Sequence, residues 1–161
     1  MNATKAFIHE LALCESDDVG DGSRIWAFAH VMNGVHIGTN SSIGDHAFIE
    51  TGGHVGNNVT VKNGVMIWEG VRIDDGAFIG PGVIFTNDRH PRSSRQLDIP
   101  EIAERYSDKQ TWLLETRIGK GASLGARAVI GPGVTVGDYA MVGAGSVVTN
   151  EVAPYSLVVG V

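Results

Sequence analysis

The sequence predicts an all-β fold, a parallel β-solenoid coiled from one six-residue unit, and three observations carry that expectation. An aliphatic or aromatic side chain recurs at every sixth position from Phe7 and Leu13 through Ile25, Ile43, Ile67 and Ile79 to Phe85, and again from Ile118 to Val148. The fourth residue after each is small or β-branched in most units, as at Ser23, Ala29, Val35, Ala77, Ala122 and Val134. The residue directly after it is often glycine, as at Gly20, Gly38, Gly44, Gly56, Gly80, Gly119 and Gly125.

A period of six is neither helical nor a simple strand alternation, so it is read first as a repeat. Each unit supplies two inward side chains and a turn, and glycine there tolerates backbone angles that other residues resist. Three units close a triangular coil of eighteen residues, and successive coils stack as parallel strands about 4.8 Å apart. No unit can bury its apolar face alone, so the coils fold together. Residues eighteen apart then share a column: Asn33, Thr51, Glu69 and Asn87 in one, and His36, His54, Arg72 and His90 in another. Taken in order, the chain is a single domain over residues 1–161, with a loop, 86–117, inserted in the solenoid. If the units at Phe85 and Ile118 are consecutive, the insertion amounts to 27 residues. An excursion of that length in a compact domain is usually functional or disordered. Within it, Ile99 to Tyr106 reads either as a short helix, since Pro100 and Glu101 suit a first turn, or as a solvated flap.

Composition agrees with many short strands and tight turns: 22 glycines and 43% apolar residues, with aromatics at only 7%. The formal charge of −6 argues against general affinity for nucleic acid or an anionic membrane. Six of the twelve basic residues nevertheless lie from Arg89 to Arg117, which leaves room for a local anion site. The single cysteine, Cys14, excludes an intrachain disulfide and suits a reducing cytoplasm. No apolar run approaches transmembrane length.

Units such as Ile118-Gly-Lys-Gly-Ala-Ser and Ile130-Gly-Pro-Gly-Val-Thr resemble the left-handed parallel β-helix of hexapeptide-repeat acyltransferases. The handedness is implied by that resemblance and runs against the usual crossover preference. Three stretches, Arg24 to Val31, Asn58 to Gly70 and Phe85 to Ser93, are similar to nucleotide-sugar N-acetyltransferases that act on 3-amino sugars. That resemblance implies a cytoplasmic homotrimer working in lipopolysaccharide or O-antigen biosynthesis. Acetyl-CoA would be the cosubstrate and a dTDP- or UDP-linked amino sugar the acceptor, with no metal. It also implies that Asn87 contacts the sugar amine and that acetyl-CoA runs between subunits past Gly125, Ala126, Gly143 and Ala144, pairs eighteen apart. Those four residues are equally the repeat consensus. In such relatives a Pro-Ala-basic tripeptide and a C-terminal helix follow the closing segment Pro154 to Val161, so a different cap, a longer polypeptide or a truncated chain is expected.

The arginines carry a case of their own, because guanidinium groups bind pyrophosphate bidentately. Arg89 and Arg92 are expected to contact the nucleotide sugar together with Asp88 and His90, and Arg95 is read as solvated surface. Trp68 and Glu69, one coil above Thr86 and Asn87, either line the sugar pocket or pack across the trimer. Other classes leave distinct marks. Zinc held by stacked histidines is disfavoured by Arg72 in the column. An O-acetyltransferase would use His90 as general base, and a noncatalytic trimeric scaffold would not bind acetyl-CoA.

Overall fold

The computed structural model describes residues 5–95 and 98–161. Among the described residues twenty strands, nearly all two residues long, form three parallel sheets of eight, seven and five strands, and most strands pair with the one three ahead in sequence. This is the β-solenoid that the six-residue period requires, wound for about eight turns of a triangular coil. Each face contributes one inward residue per turn: Ile25, Ile43, Val61 and Ile79 on the first, Val31, Ile49, Ile67 and Phe85 on the second, Ile37, Val55 and Ile73 on the third. All are fully or almost fully buried, and so is the small or β-branched residue that closes each unit. Burying one such isoleucine contributes about 1.5–3 kcal/mol, so stacking the columns replaces the missing local stability of two-residue strands.

Where the column holds a hydroxyl, that hydroxyl is satisfied. Ser23 Oγ donates to the Gly38 carbonyl at 2.7 Å and accepts from the Ser41 N–H, and Ser41 Oγ repeats the pattern with Gly56 and Val59. The glycine after each inward residue is needed for another reason: at Gly38 a Cβ would lie 2.6 Å from the Gly56 carbonyl carbon in the next coil. Coils approach backbone to backbone at these corners.

The first coil departs from the expected period. Phe7 and Leu13 pair with Arg24 and His30, which are outward positions, and are 47% and 54% exposed. Ile8 and Cys14 take the inward places above Ile25 and Val31. The step from Cys14 to Val19 is five residues, because the turn is tightened around Ser16. The buried Ser16 hydroxyl donates to the Val35 carbonyl at 2.6 Å and accepts from the Asp18 N–H. The unbroken beat of six from Phe7 is therefore corrected by one residue here.

The register across the excursion is as expected: Ile73 pairs with Ile118 and Phe85 with Ile130, 45 residues apart instead of eighteen. Inside it, Pro100–Ser107 forms a helix, α1, followed by a 3₁₀ turn at Lys109–Thr111. Of the two readings of this segment, the helix is the one observed. No residue of α1 is fully buried, and the Tyr106 ring packs on Trp112 just beyond its end.

Candidate functional site

The site is built at the corner where the second face turns into the third, along the expected column of Asn33, Thr51, Glu69 and Asn87. Thr51 Oγ1 donates to the Asn33 carbonyl at 2.9 Å, and Asn87 Nδ2 donates to the Glu69 carbonyl at 3.1 Å. At this corner Gly34, Gly52 and Gly70 continue the coil with positive φ. After Asn87 the chain leaves instead, and it returns at Leu114, whose N–H donates to the Asn87 carbonyl at 2.9 Å. Both mouths of the excursion thus meet on one residue. Asn87 spends its amide N–H and its backbone carbonyl on the scaffold; its Oδ1 has no hydrogen bond among the described residues.

Trp68 and Glu69 lie one coil above. Trp68 Nε1 donates to the Phe85 carbonyl at 3.0 Å and its ring packs on Phe48, so the indole seals the coil. Lys109 Nζ reaches both Glu69 carboxylate oxygens at 2.8 Å and ties the excursion back to the solenoid. Leu113 lies over Gly70, where a Cβ would come within 3.2 Å of its Cδ1.

Asp88 turns inward. Its side chain is only 8% exposed and accepts from the Arg105 guanidinium, the Tyr106 hydroxyl at 2.7 Å and the His90 N–H at 2.8 Å. Burial pushes this carboxyl up, but the donors from Arg105, Tyr106 and His90 together outweigh burial and hold it below the usual range. The same pair holds Arg105 above its ordinary value. Arg89, His90 and Arg92 are exposed. Among the described residues neither the Arg89 guanidinium nor the His90 ring has a hydrogen-bond partner, and Arg92 Nη1 reaches only its neighbour's carbonyl, Pro91, at 2.9 Å. Arg95 is exposed as well.

Trp68, Glu69, Asn87 and Asp88 are therefore brought together, with Arg89, His90 and Arg92 on the adjoining segment. Gly125, Ala126, Gly143 and Ala144 are not part of this corner: they stack where the first face turns into the second. A Cβ on Gly125 would lie 2.4 Å from the Ala144 nitrogen, so coil packing alone accounts for that glycine.

The histidine column is corrected at its last member. His36 and His54 stack with ring centres 4.6 Å apart, and Arg72 follows. The next place belongs to Arg117, because the excursion carries His90 out of the solenoid. Arg72 and Arg117 share Asp74, at 3.4 and 2.7 Å. Among the described residues, no three His, Cys, Asp or Glu side chains converge as metal ligands. Arg105, Tyr106 and Lys109 escape a sequence reading, since a column map has no place for residues outside the coils. Only their nearness to the arginine-rich stretch hinted at them.

Residues 18–51 and 115–150 match the family described as bacterial transferase hexapeptide (six repeats). No curated protein matches the sequence. Among solved structures, a hexapeptide-repeat acetyltransferase from Vibrio cholerae, complexed with acetyl coenzyme A, is 25% identical with a TM-score of 0.61, over 79% of this chain and 66% of that one. The acetyltransferase domain of PglB from Neisseria gonorrhoeae, also with acetyl coenzyme A, is 19% identical with a TM-score of 0.61, over 98% and 56%. A point mutant of perosamine N-acetyltransferase from Caulobacter crescentus, with CoA and GDP-perosamine, is 23% identical with a TM-score of 0.50, over 98% and 54%. The chain spans about half the length of the last two. The left-handed sense expected from the resemblance agrees with this repeat.

Proposed function

We propose that this chain, which carries the hexapeptide repeat of bacterial transferases, moves acetyl from acetyl-CoA to the amino group of a nucleotide-linked 3-amino-deoxy sugar, with dTDP or UDP as the nucleotide. The observation that carries the reading is Asn87: its position is fixed by two hydrogen bonds, to Glu69 and from Leu114, and its side-chain oxygen is uncommitted among the described residues, next to a segment bearing two guanidinium groups that have no carboxylate partner among those residues. The acetyl coenzyme A bound in the Vibrio cholerae structure, at 25% identity, supports the cosubstrate. The GDP-perosamine relative is consistent with a nucleotide sugar.

An amine with a pKa of about 8 keeps a usable neutral fraction near pH 7. Asn87 Oδ1 accepts one N–H of that amine and aims its lone pair at the thioester carbonyl. Nitrogen bonds to the carbonyl carbon, the C–S bond breaks, and the departing CoA thiolate takes the surplus proton. Arg89 and Arg92 hold the pyrophosphate, and Trp68 and Glu69 border the sugar. O-acetyl transfer through His90 fits less well. A general-base imidazole is held by an orienting partner, whereas Asp88, the nearest carboxylate in sequence, is taken by Arg105 and Tyr106.

The assembly proposed is a closed cyclic homotrimer with ligands between neighbours. Its support is the outward side of the seven-stranded sheet, where Leu13, His30, Phe48, Met66, Ile84, Val129 and Val147 form one column, apolar but for His30. A stripe of that length calls for cover. In such an assembly Gly125, Ala126, Gly143 and Ala144 of one copy would reach the acceptor corner of the next. Both substrates place the enzyme in the cytoplasm; among the described residues no helix is long and apolar enough to cross a membrane.

The test is a thiol-release assay with acetyl-CoA against dTDP- and UDP-linked 3-amino sugars, with GDP-perosamine as a third acceptor. Release with none of them, alongside transfer to a simple sugar hydroxyl, would overturn the reading.

A further inference from the structure

The segment Asp88 to Arg92 has no regular structure, yet helix α1 contacts its backbone and side chains at successive points. Arg105 Nη1 donates to the His90 carbonyl at 2.7 Å, and the Arg92 N–H donates to the Tyr106 hydroxyl at 2.7 Å. Arg105 and Tyr106 both donate to the Asp88 carboxylate. The guanidinium of Arg105 lies over the Tyr106 ring, 5.1 Å from its centre, and that ring packs on Trp112 at 5.6 Å. Two consecutive helical residues therefore fix both the carboxylate that begins the segment and the backbone that bends it.

We infer that Arg105 and Tyr106 are positioning residues for the substrate's diphosphate: they hold Asp88 to Arg92 in the bent form that presents Arg89 and Arg92, and Arg105 keeps the Asp88 carboxylate from claiming those two guanidiniums. The inference rests on the pyrophosphate reading of Arg89 and Arg92 proposed above. Two physical effects combine. A loop ordered before the ligand arrives does not charge its ordering entropy to binding. The second effect is charge allocation: Asp88 lies next to Arg89 and four residues before Arg92, and without Arg105 its buried carboxylate would seek the nearest cation. With Arg105 in place, Asp88 is neutralised from the helix side, and the outward face of the segment stays positive.

Calorimetric titration with dTDP and UDP as the diphosphate probes, and acetyl-CoA as the control ligand, tests this. Arg105→Ala should weaken binding of the preferred nucleotide by about tenfold and leave acetyl-CoA unchanged, as expected for loss of a charge-assisted contact. Adding Asp88→Asn to Arg105→Ala should restore most of that loss, because no stray carboxylate remains; a purely structural role for the ion pair would leave the double variant at least as weak. Tyr106→Phe, which keeps the ring on Trp112, should weaken binding a few-fold, and it stands in if Arg105→Ala does not fold. Unchanged nucleotide affinity in both Arg105→Ala and Tyr106→Phe, while Arg89→Ala and Arg92→Ala bind poorly, would overturn the inference and leave the anion site standing. Full affinity in Arg89→Ala and Arg92→Ala would remove the anion site itself, and this inference with it. A double variant as weak as Arg105→Ala would overturn the allocation of charge.

Discussion

Asn87 donates its side-chain amide to the backbone carbonyl of Glu69, one coil above, at 3.1 Å, and this single bond decides which way the amide faces. With Nδ2 turned into the scaffold, Oδ1 faces out as an acceptor. Asn87→Ala should lower kcat by more than about tenfold, the scale of a lost orienting contact. His90→Asn should cost only a few-fold, and steady-state kinetics on both variants separates the roles. Loss of turnover in His90→Asn, with parent kcat rising through a pKa near 6.5, would hand the chemistry to a general base instead.

Arg89 and Arg92 are cations without carboxylate partners among the described residues of an acidic chain. Replacing either with alanine should raise KM for the nucleotide sugar roughly ten- to hundredfold and leave KM for acetyl-CoA nearly unchanged. The rise in sugar KM should shrink as salt is raised. An unaltered sugar KM in both variants would reduce these residues to solvated surface.

His54 lies beside His36 and Arg72, with Asp74 and Asp18 on the same face. Burial lowers its pKa most, and Arg72 and His36 lower it further, against the two aspartates. The folded chain thus resists a proton that the unfolded chain accepts below the ordinary value of 6.5. In that window the unfolded state binds more protons, so stability rises with pH and then levels above it. Thermal midpoints from pH 5 to 8 should show this slope in the parent and a flatter one in His54→Gln.

Glycines divide by what surrounds them. Gly38→Ala would press a methyl group against the Gly56–Asn57 backbone at 2.6–2.7 Å and should cost about 1–3 kcal/mol. Gly64 has open space, and Phe28, His46 and Arg127 hold the same corner at φ of 56–59°. Gly64→Asn should therefore stay within about 0.5 kcal/mol of the parent in denaturant unfolding.

The apolar outward column gives the assembly test. Light scattering should show a trimer for the parent, and Met66→Glu or Ile84→Glu should dissociate it, because a carboxylate buried against apolar neighbours is strongly unfavourable. A stable, active monomer would sink the proposed arrangement.

Much of this was legible before any coordinate. Every sixth residue from Ile25 to Phe85 is buried as the repeat requires, and Asn87 falls beneath Glu69 because eighteen-residue spacing is a property of the coil. The spacing misled at Phe7 and Leu13, where an accidental beat of six ran one residue out of phase with the true column at Ile8 and Cys14. It misled again at His90, which counting placed below Arg72, a position that Arg117 occupies. Arg105 and Tyr106 could not be found by counting at all. They reach Asp88 from a helix whose placement depends on tertiary contacts, and no period runs through it.

The seam at the excursion has a consequence for how such a chain folds and varies. Everywhere else a strand finds its partner about eighteen residues away, and across the excursion it finds it 45 away, in unchanged register. Closing the longer loop costs only roughly 0.8 kcal/mol more, from the logarithmic growth of closure entropy. Because the excursion starts and ends against the same Asn87 carbonyl, its interior can be rewritten without stretching the coil. The solenoid thus works as an evolutionary chassis: under the function proposed here, acceptor preference would drift by replacing one cassette while the stacked coils beneath go on assembling by nearest-neighbour steps.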